Sequence, residues 1–427
     1  MRETEEIRDK VVLVGLNSPV LKKEENADEA TMEELSALVE TAGGETVGIV
    51  LQNRATPDPR TFIGEGKVAE VQAYCESSGA TMVIFDNDLS PSQQRVLTDL
   101  LGIQVLDRCG LILDIFAQRA KTKEGRLQVE LAQYKYLLPR LTGMWTHLER
   151  QGGSGQGAIG SKGPGETQLE TDRRLIHKKI DKLRADLEDV RRVRGTQRQQ
   201  RRKNEIPVVA IVGYTNAGKS TLLNTLTNSD IYAKDQLFAT LDPTTRQLDL
   251  PNKQQAILTD TVGFIQRLPH QLVAAFQSTL EEVVEADVLL HVIDVSHELY
   301  KEQSNAVYHV LEELGAKDKT IITVYNKIDK LPEGSALPER LAKEENAICI
   351  SAKAGLNLDA LLELIAENLK LKAVEESFLV PYSDSAAVSR LHAAGTVLEQ
   401  EYLAEGTLLK VRMEAEQVAE FEEYLKK

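Results

Sequence analysis

The sequence predicts an α/β protein of several domains, and three observations support this. The chain has 427 residues, enough for two to four domains that each bury a core. Short β-rich apolar segments alternate with helical segments in residues 1–115 and again in residues 205–372, a pattern typical of parallel sheets flanked by helices. Between them, residues 116–204 carry an apolar repeat of helical period.

Residues 1–115 are predicted to form an N-terminal parallel α/β domain. Its predicted strands are VVLVGL (11–16), TVGIVLQ (46–52), TMVIFD (81–86) and IQVLD (103–107). The segment GEGK (64–67) starts a helix and either caps it or holds an anion, since a helix N-terminus is partly positive. A lone GxGK favours capping. Asp86 and Asp88 follow a strand, and we interpret them as ordinary loop carboxylates rather than as a pair.

Residues 116–204 are predicted to form an antiparallel helical hairpin. Apolar residues recur at spacings of three and four on two segments, which predicts two helices that pack together. The first set is Leu127, Leu131, Tyr134, Leu138, Leu141, Trp145 and Leu148, and the second is Leu169, Ile176, Ile180, Leu183, Leu187 and Val190. Pro139 should kink the first helix. The stretch GGSGQGAIGSKGPG (152–165), with glycine at 7 of 14 positions, should form the tip.

Positive charge is concentrated in the predicted hairpin, although the whole chain has a net charge of −15. Residues 119–205 carry 21 Lys and Arg against 11 Asp and Glu, a net of +10, so the rest of the chain carries −25. Such asymmetry favours local contact with a polyanion. Two plainer interpretations stay open: a solvated helical face, and a flexible glycine linker without a partner. The basic residues singled out are Arg150, Lys162, Arg173 and Arg174 near the tip, and Arg191, Arg192, Arg194, Arg198, Arg201, Arg202 and Lys203 farther on.

Composition excludes several classes of protein. No apolar run approaches the roughly 20 residues of a transmembrane helix, and MRETEEIRDK lacks the apolar core of a secretory signal. Cys75, Cys109 and Cys349 show no CxxC spacing, which disfavours a disulfide framework or a zinc site. We therefore expect a cytoplasmic protein without a transmembrane segment; peripheral association with a membrane stays open. We also expect the chain to be a monomer.

A phosphate-binding loop is the strongest local pattern. The apolar strand 207–212 runs into GYTNAGKST and then a helix. Backbone N–H groups of such a loop surround phosphate oxygens, Lys219 should reach the β- and γ-phosphates, and the Ser220 hydroxyl should bind Mg²⁺. The residues expected to contact nucleotide here are Gly213, Tyr214, Thr215, Asn216, Ala217, Gly218, Lys219, Ser220 and Thr221.

Two later segments predict that the base is guanine and the ligand GTP or GDP. NKID follows a strand about 110 residues after the phosphate loop, and SAK follows the strand AICIS. The Asp329 carboxylate can accept from two N–H donors that guanine has and adenine lacks, so such a site rejects adenine. Asn326 would bond the other edge, Lys327 would lie along the ring, and a backbone N–H of SAK would meet O6. The expected contacts are Asn326, Lys327, Ile328, Asp329, Ser351, Ala352 and Lys353.

Two segments between these motifs predict the switches and the catalytic groups. In DTVGF, Asp260 should hold Mg²⁺ through water, and the Gly263 N–H should contact the γ-phosphate. In FATLDPTTR, Thr240 is the expected second Mg²⁺ ligand beside Ser220, ahead of Thr244 and Thr245; a plain hairpin or loop is the alternative. We therefore expect Lys219, Thr240 and Gly263 to be catalytic. The further nucleotide contacts expected here are Phe238, Ala239, Leu241, Asp242, Thr261 and Val262.

One position predicts slow intrinsic hydrolysis. Ras-like enzymes orient the attacking water with a glutamine just after this glycine, but here the residue is Phe264, and Gln266 is displaced. Asn216 in the phosphate loop could help hold K⁺ beside the phosphates, and we hypothesise K⁺-stimulated hydrolysis. The alternative is that Asn216 only shapes the loop.

The last segment, residues 373–427, is predicted to be a small C-terminal α+β domain. FLVPY, GTVLEQEYL and GTLLKVRM are the predicted strands, and AEQVAEFEEYLKK is a predicted closing helix. The architecture is thus an N-terminal parallel α/β domain, a helical hairpin, a P-loop Ras-like G domain over 205–372, and this small domain.

Together, GYTNAGKST, FATLDPTTR, DTVGF and NKID resemble the HflX family of translational GTPases, within the Obg–HflX group. Upstream segments resemble the family as well, so recognisable motifs cover about residues 10–370. These segments are TFIGEGK (61–67), DLSPSQQRVL (88–97), residues 107–141 and GPGETQLETDRR (163–174).

The resemblance implies a partner and an activity. HflX-like proteins hydrolyse GTP, associate with the large ribosomal subunit, and split stalled or idle ribosomes under stress. Their hairpin reaches ribosomal RNA near the peptidyl-transferase centre, the ribosome stimulates hydrolysis, and the missing glutamine is a family trait. The resemblance also allows ATP binding by the N-terminal domain. Other functions stay open: assistance to RNA modification or ribosome assembly, and a GTP-dependent switch on a protein partner.

Overall fold

We describe the fold from a computed structural model of the chain. It describes residues 8–22, 25–141, 164–203, 206–227, 237–238, 241–251, 254–265, 277–332, 334–370, 373–403 and 405–426.

A four-stranded parallel sheet forms the N-terminal domain, with strand order β2-β1-β3-β4. The strands are β1 (Lys10–Asn17), β2 (Glu45–Asn53), β3 (Met82–Phe85) and β4 (Gln104–Asp107), and the helices are α1 (Glu29–Ala42), α2 (Glu65–Ser78), α3 (Pro91–Leu101) and α4 (Arg108–Arg119). The four predicted strands are confirmed. The interior residues of β1 are all buried, as expected for a central strand covered by helices on both faces.

Local capping explains where the first helix begins and ends. The Asp28 side chain accepts from the Thr31 N–H, and the Thr31 hydroxyl in turn accepts from the Asp28 N–H, so two free donors of the first turn are satisfied. Gly43 closes the helix in a left-handed conformation, with φ of 93°. These caps define both ends of α1, and Glu34 lies near the middle of this helix.

The predicted hairpin helices are α5 (Lys123–Leu137) and the 40-residue α6 (Pro164–Lys203). Near the start of α5, Glu124 Oε1 lies 3.2 Å from Arg194 Nη1 in the second half of α6. Near the end of α5, the Tyr134 hydroxyl bonds Lys179, which lies earlier on α6. The two helices are therefore antiparallel. On α6 the predicted apolar stripe is buried at Ile180, Leu183 and Leu187. The tip stretch 152–165 lies outside the described residues except for its last two.

Helix α5 differs from its prediction in two ways. It ends at Leu137, two residues before Pro139, and Trp145 and Leu148 of the predicted stripe lie outside the described residues. Its most buried residues are also not the predicted stripe but the next one around the helix, namely Gln128, Val129, Ala132 and Tyr136. The helix is packed on two sides, since it contacts α4 as well as α6.

A six-stranded sheet forms the second α/β domain, with strand order β10-β9-β8-β5-β7-β6, in which only β6 is antiparallel. Its strands are β5 (Val208–Gly213), β6 (Thr244–Asp249), β7 (Gln255–Asp260), β8 (Val288–Asp294), β9 (Thr320–Asn326) and β10 (Ala347–Cys349). Its helices are α7 (Lys219–Thr227), α8 (Gln277–Glu285), α9 (Tyr300–Glu313), α10 (Leu337–Leu341) and α11 (Leu358–Lys370). The carboxyl ends of the parallel strands meet at one edge, where ligands bind in such folds.

The C-terminal residues form a three-stranded antiparallel sheet in the order β11-β13-β12. The strands are β11 (Ala373–Val380), β12 (Thr396–Leu403) and β13 (Gly406–Glu414), with helices α12 (Ser385–Ala394) and α13 (Ala415–Val418). The predicted closing helix is interrupted: α13 gives way to a 3₁₀ turn over Ala419–Tyr424, where Phe421 is non-helical. The predicted multidomain α/β fold class is confirmed.

An apolar interface joins the N-terminal helices to the second α/β domain. Residues of α4, such as Ile115 and Phe116, share one buried cluster with Leu241, Val262 and Phe264. The hairpin is fastened beside it, since Arg194 also lies 3.5 Å from Glu282 on α8. Within the part of the chain that is described, no helix is long and apolar enough to cross a bilayer.

Candidate nucleotide-binding site

The predicted phosphate loop lies where β5 ends and α7 begins. Asn216 has a φ of 61°, a left-handed conformation that asparagine tolerates better than most residues, and its side chain is exposed. Gly218 has a φ of 97°, and a Cβ there would lie 2.3 Å from the Asn326 Nδ2. Glycine is therefore required at 218, both for the turn and for the approach of the guanine motif.

Lys219 is held inside the loop. Its ammonium donates to the carbonyl oxygens of Tyr214, at 2.7 Å, and Gly213, at 3.1 Å. Burial lowers the pKa of Lys219 to about 8; the charge of Asp260 raises that pKa, and the charge of Lys327 lowers it further. A buried ammonium without a full counter-charge is well suited to an anion, because a phosphate would supply the missing charge.

Ser220 and Asp260 form the oxygen pair predicted to face Mg²⁺. The Ser220 hydroxyl donates to the Asp260 Oδ2 over 2.7 Å. Hydroxyl and carboxylate oxygens are ligands that Mg²⁺ prefers, so the donor set fits this ion. Thr240 and Ala239 lie outside the described residues.

The DTVGF segment is bonded directly to the phosphate loop. The Thr215 N–H donates to the Phe264 carbonyl over 2.7 Å, and the Phe264 N–H donates to the Gly213 carbonyl over 3.1 Å. A Cβ on Gly263 would lie 2.9 Å from the Thr215 Cα and 3.0 Å from the Lys219 Nζ, so Gly263 sits against the predicted γ-phosphate position. Phe264 is 3% exposed and packs in the interface cluster, away from solvent.

Asn326 ties three predicted motifs together. Its Nδ2 donates to the Ala217 carbonyl over 2.8 Å, and its Oδ1 accepts from the Ala352 N–H over 3.0 Å. The phosphate loop, NKID and SAK are thus brought to one place. A side-chain amide has two hydrogens, so one remains for a base.

The other residues of NKID are also positioned by side chains. Lys327 has a left-handed φ of 66°, and its Nζ lies 2.7 Å from Asp294 Oδ2 at the end of β8. The Asp329 Oδ1 accepts from the Ser351 hydroxyl over 2.5 Å, while its carboxylate remains exposed toward solvent. Asp294 is not part of any predicted motif. The signal available in the sequence was its place directly after a buried strand next to the phosphate loop.

Comparison with known proteins gives the family. Three protein-family models match the chain: "GTP-binding GTPase N-terminal" over residues 29–117, "GTP-binding GTPase Middle Region" over 119–201, and "50S ribosome-binding GTPase" over 208–327. The protein "GTPase HflX" of Caldanaerobacter subterraneus is 47% identical over 420 residues, which are 97% of this chain and 94% of that protein. The chain belongs to the HflX family of GTPases.

Two further HflX relatives support this assignment. "GTPase HflX" of Escherichia coli K12 is 44% identical over 392 residues, 91% of each chain, and that of Lacrimispora saccharolytica is 46% identical over 414 residues, 97% of this chain and 96% of that protein. A solved GTP-binding protein from Sulfolobus solfataricus in complex with GDP is 25% identical, with a TM-score of 0.45, and covers 85% of this chain and 99% of its own. As an HflX protein the chain binds and hydrolyses GTP.

The FATLDPTTR segment of this HflX chain docks on the N-terminal helices. Phe238 is 2% exposed and meets the Phe116 ring edge-on, with centroids 4.7 Å apart. The Asp242 carboxylate accepts from the N–H groups of Lys121 and Thr122, each over 2.8 Å, and from the Thr122 hydroxyl. The side chains of Phe238 and Asp242, both predicted to contact nucleotide, are therefore occupied by α4 and by the start of α5 respectively.

Several contacts of the site were missed in the sequence. Asp86, interpreted as a loop carboxylate, is buried and lies 2.8 Å from Arg108; that interpretation is wrong. At GEGK, the Lys67 ammonium pairs with Glu70 over 2.7 Å, and no side chain caps the helix at Gly64. Gly64 itself is the N-cap residue of α2, and its N–H donates to Gln52 Oε1 over 2.9 Å.

Proposed function

We propose that this HflX chain, when loaded with GTP, binds the large ribosomal subunit in the cytoplasm and splits stalled or idle ribosomes under stress. The observation that carries the proposal is the basic hairpin joined to the GTP site. A family model described as "50S ribosome-binding GTPase" matches the nucleotide-binding residues, which agrees with it.

The hairpin has the shape and charge for contact with RNA. A helix of 40 residues such as α6 is about 60 Å long. Its basic residues near the tip-proximal end are exposed, namely Arg173, Arg174, Lys178, Lys182 and Arg184. Lys and Arg contacts to closely spaced phosphates release counterions and give salt-dependent binding.

The basic cluster farther along α6 is different. Arg191 and Arg194 lie within 3.9 Å of Glu281 and 3.5 Å of Glu282 respectively, and Arg192 pairs with Asp189. Arg191 and Arg194 hold α6 on the nucleotide domain, whereas the Arg192–Asp189 pair lies within the helix. We therefore assign RNA contact to the distal half of the hairpin.

We further propose how the nucleotide site works. Lys219 and the loop N–H groups hold the phosphates, Gly263 bonds the γ-phosphate, and Asn326 with Asp329 selects guanine. Ser220, Thr240 and Asp260 would hold Mg²⁺, which neutralises charge on phosphate oxygens when bound. Because Phe264 cannot orient water, intrinsic hydrolysis is slow, and the ribosome stimulates it.

Co-sedimentation tests the ribosome proposal. With a non-hydrolysable GTP analogue, the wild-type chain should pellet with large subunits and convert paired ribosomes to subunits. Arg173→Glu with Arg174→Glu should weaken this binding by about tenfold, because like charges then face the phosphates. Lys301→Glu with Lys317→Glu, a matched reversal at an exposed lysine of α9 and an exposed lysine just after it, should bind like wild type.

Deletion of residues 152–165 should abolish splitting while GTP binding persists. Binding that is insensitive to salt, or equal binding by the two charge-reversal variants, would show that the hairpin is not the contact. A switch on a protein partner predicts no pelleting with either subunit.

The RNA-modification alternative is disfavoured by the cysteines. Cys75, Cys109 and Cys349 are all buried. Burial raises the pKa of all three thiols, and that of Cys109 reaches about 12 because Asp107 lies nearby as well. Thiols of this kind are poor nucleophiles.

Potassium is a proposed cofactor of this site. The exposed Asn216 side chain lies at the rim of the phosphate loop, although its left-handed φ also accounts for asparagine without an ion. We expect faster hydrolysis in K⁺ than in Na⁺ buffer, and loss of this difference in Asn216→Ala. Multiple-turnover phosphate release measures it, and equal rates in both salts would eliminate the hypothesis.

A further inference from the structure

A buried arginine of the N-terminal domain begins a chain of contacts that reaches the GTP site. Arg108 opens α4, and its side chain is 2% exposed. Its Nη1 donates to Asp86 Oδ1 over 2.8 Å, and its Nη2 lies 3.1 Å from Glu34 Oε1. A guanidinium is buried only when carboxylates compensate its charge, so Arg108 fixes both of them in place.

Glu34 uses its second oxygen to reach the other domain. The Tyr214 hydroxyl donates to Glu34 Oε2 over 2.8 Å. Tyr214 is the second residue of the phosphate loop, lies 180 positions away in sequence, and is 6% exposed. One carboxylate therefore joins Arg108 in the N-terminal domain to the loop that binds GTP.

The contact continues from the Tyr214 side chain to the catalytic ammonium. The Tyr214 carbonyl accepts the shorter of the two hydrogen bonds of Lys219, at 2.7 Å. The next peptide N–H, that of Thr215, bonds DTVGF through the Phe264 carbonyl. A shift of Tyr214 would thus move both the ammonium and the segment that carries Gly263.

We propose that Glu34 is a positioning residue of the GTP site, which acts through the Tyr214 hydroxyl to hold the phosphate loop in its receptive conformation. Arg108, backed by Asp86, orients Glu34. The inference concerns GTP binding and does not depend on the ribosome proposal.

Conservative substitutions at Glu34 or Tyr214 should be enough to disrupt their hydrogen bond. Tyr214→Phe leaves the Glu34 oxygen without its donor in a mostly buried place, and Glu34→Gln places an amide N–H₂ against either the tyrosine hydroxyl or the guanidinium. A hydrogen bond to a charged group contributes about 1.5–3 kcal/mol, equivalent to roughly tenfold to a hundredfold in an equilibrium constant. Part of that loss should appear as weaker nucleotide binding.

Dissociation constants for fluorescent GDP and GTP analogues test the proposal in the full chain. Glu34→Gln and Tyr214→Phe should each raise both constants by about tenfold, and the double variant should be no weaker than the weaker single variant, because the two share one contact. Glu33→Gln, an exposed neighbour on the same helix, is the matched control and should bind like wild type.

A second measurement separates positioning from a merely structural role. Thermal unfolding without nucleotide should occur only a few degrees lower in Tyr214→Phe, which loses the hydrogen bond but keeps the ring and its packing, so the variant stays folded at the temperature of the binding measurement. Constants within twofold of wild type, additive effects in the double variant, or a loss of binding that only follows a loss of folded protein would each overturn the proposal.

Discussion

Replacing Lys219 by alanine should abolish nucleotide binding at micromolar concentrations and with it GTP hydrolysis. The ammonium is buried between two loop carbonyls and faces the predicted β- and γ-phosphates. Two charge-assisted hydrogen bonds to phosphate contribute about 3–5 kcal/mol, so affinity should fall by roughly two to four orders of magnitude. Titration with a fluorescent GDP analogue measures this.

Lys317→Ala is the matched control, because Lys317 forms an exposed pair with Glu312 on the surface, where such pairs contribute little. It should bind like wild type. Nucleotide affinity within threefold of wild type in Lys219→Ala would mean that the phosphates do not lie at this loop.

The same variant has a pH signature. The folded pKa of Lys219 is about 8, below its ordinary 10.5, so the unfolded chain binds more protons between these values. The free energy of unfolding of the nucleotide-free wild type should therefore rise, relative to Lys219→Ala, as pH increases from about 8 to 10.5. Denaturant unfolding at several pH values measures the difference, which should be flat below pH 7.

Asp329→Asn should change the base that the protein accepts. Guanine offers two N–H donors to the carboxylate, but an amide offers one acceptor and one donor, so one guanine N–H would face another donor. Xanthine has an oxygen in place of the exocyclic amine and fits the amide. We expect GTP affinity to fall by about a hundredfold and xanthosine triphosphate to become the better ligand.

Competition between the two triphosphates against a labelled guanine nucleotide measures this preference. Asp318→Asn, which changes an exposed carboxylate elsewhere on the domain, should leave it unchanged. An unaltered preference in Asp329→Asn would remove Asp329 from the base-binding role, even though Ser351 holds it at the strand end.

Much of the fold could be predicted because it follows from local patterns. Buried strands such as β1 and β5 are runs of apolar residues, and α6 shows its buried stripe in its spacing. The buried face of helix α5 was not predicted correctly. The helix packs on two sides, and its most buried residues are not the ones that form the clearer apolar repeat in the sequence. The closing helix was predicted as continuous, but it is interrupted at Phe421, which packs into the small core in a non-helical conformation.

Site residues could be predicted where one short motif holds the chemical groups that a ligand needs, as in the phosphate loop and NKID. The contacts between domains could not. Tyr214 meets Glu34 across 180 residues, and Asp242 meets Thr122 across 120 residues. Nothing local marks such partners, because each pairing is set by the packing of whole domains against α4 and α5.

The contact of Asp242 with the start of α5 gives the hairpin a mechanical property. The carboxylate occupies two backbone donors there, and a Cβ on Gly125 would come within 2.3 Å of it, so no side chain can intervene. Thr240 stands only two residues earlier in the chain. A displacement of Thr240 on nucleotide binding would therefore act on the first turn of α5 through the Asp242 carboxylate, and α5 is in turn paired with α6 through Glu124 and Arg194.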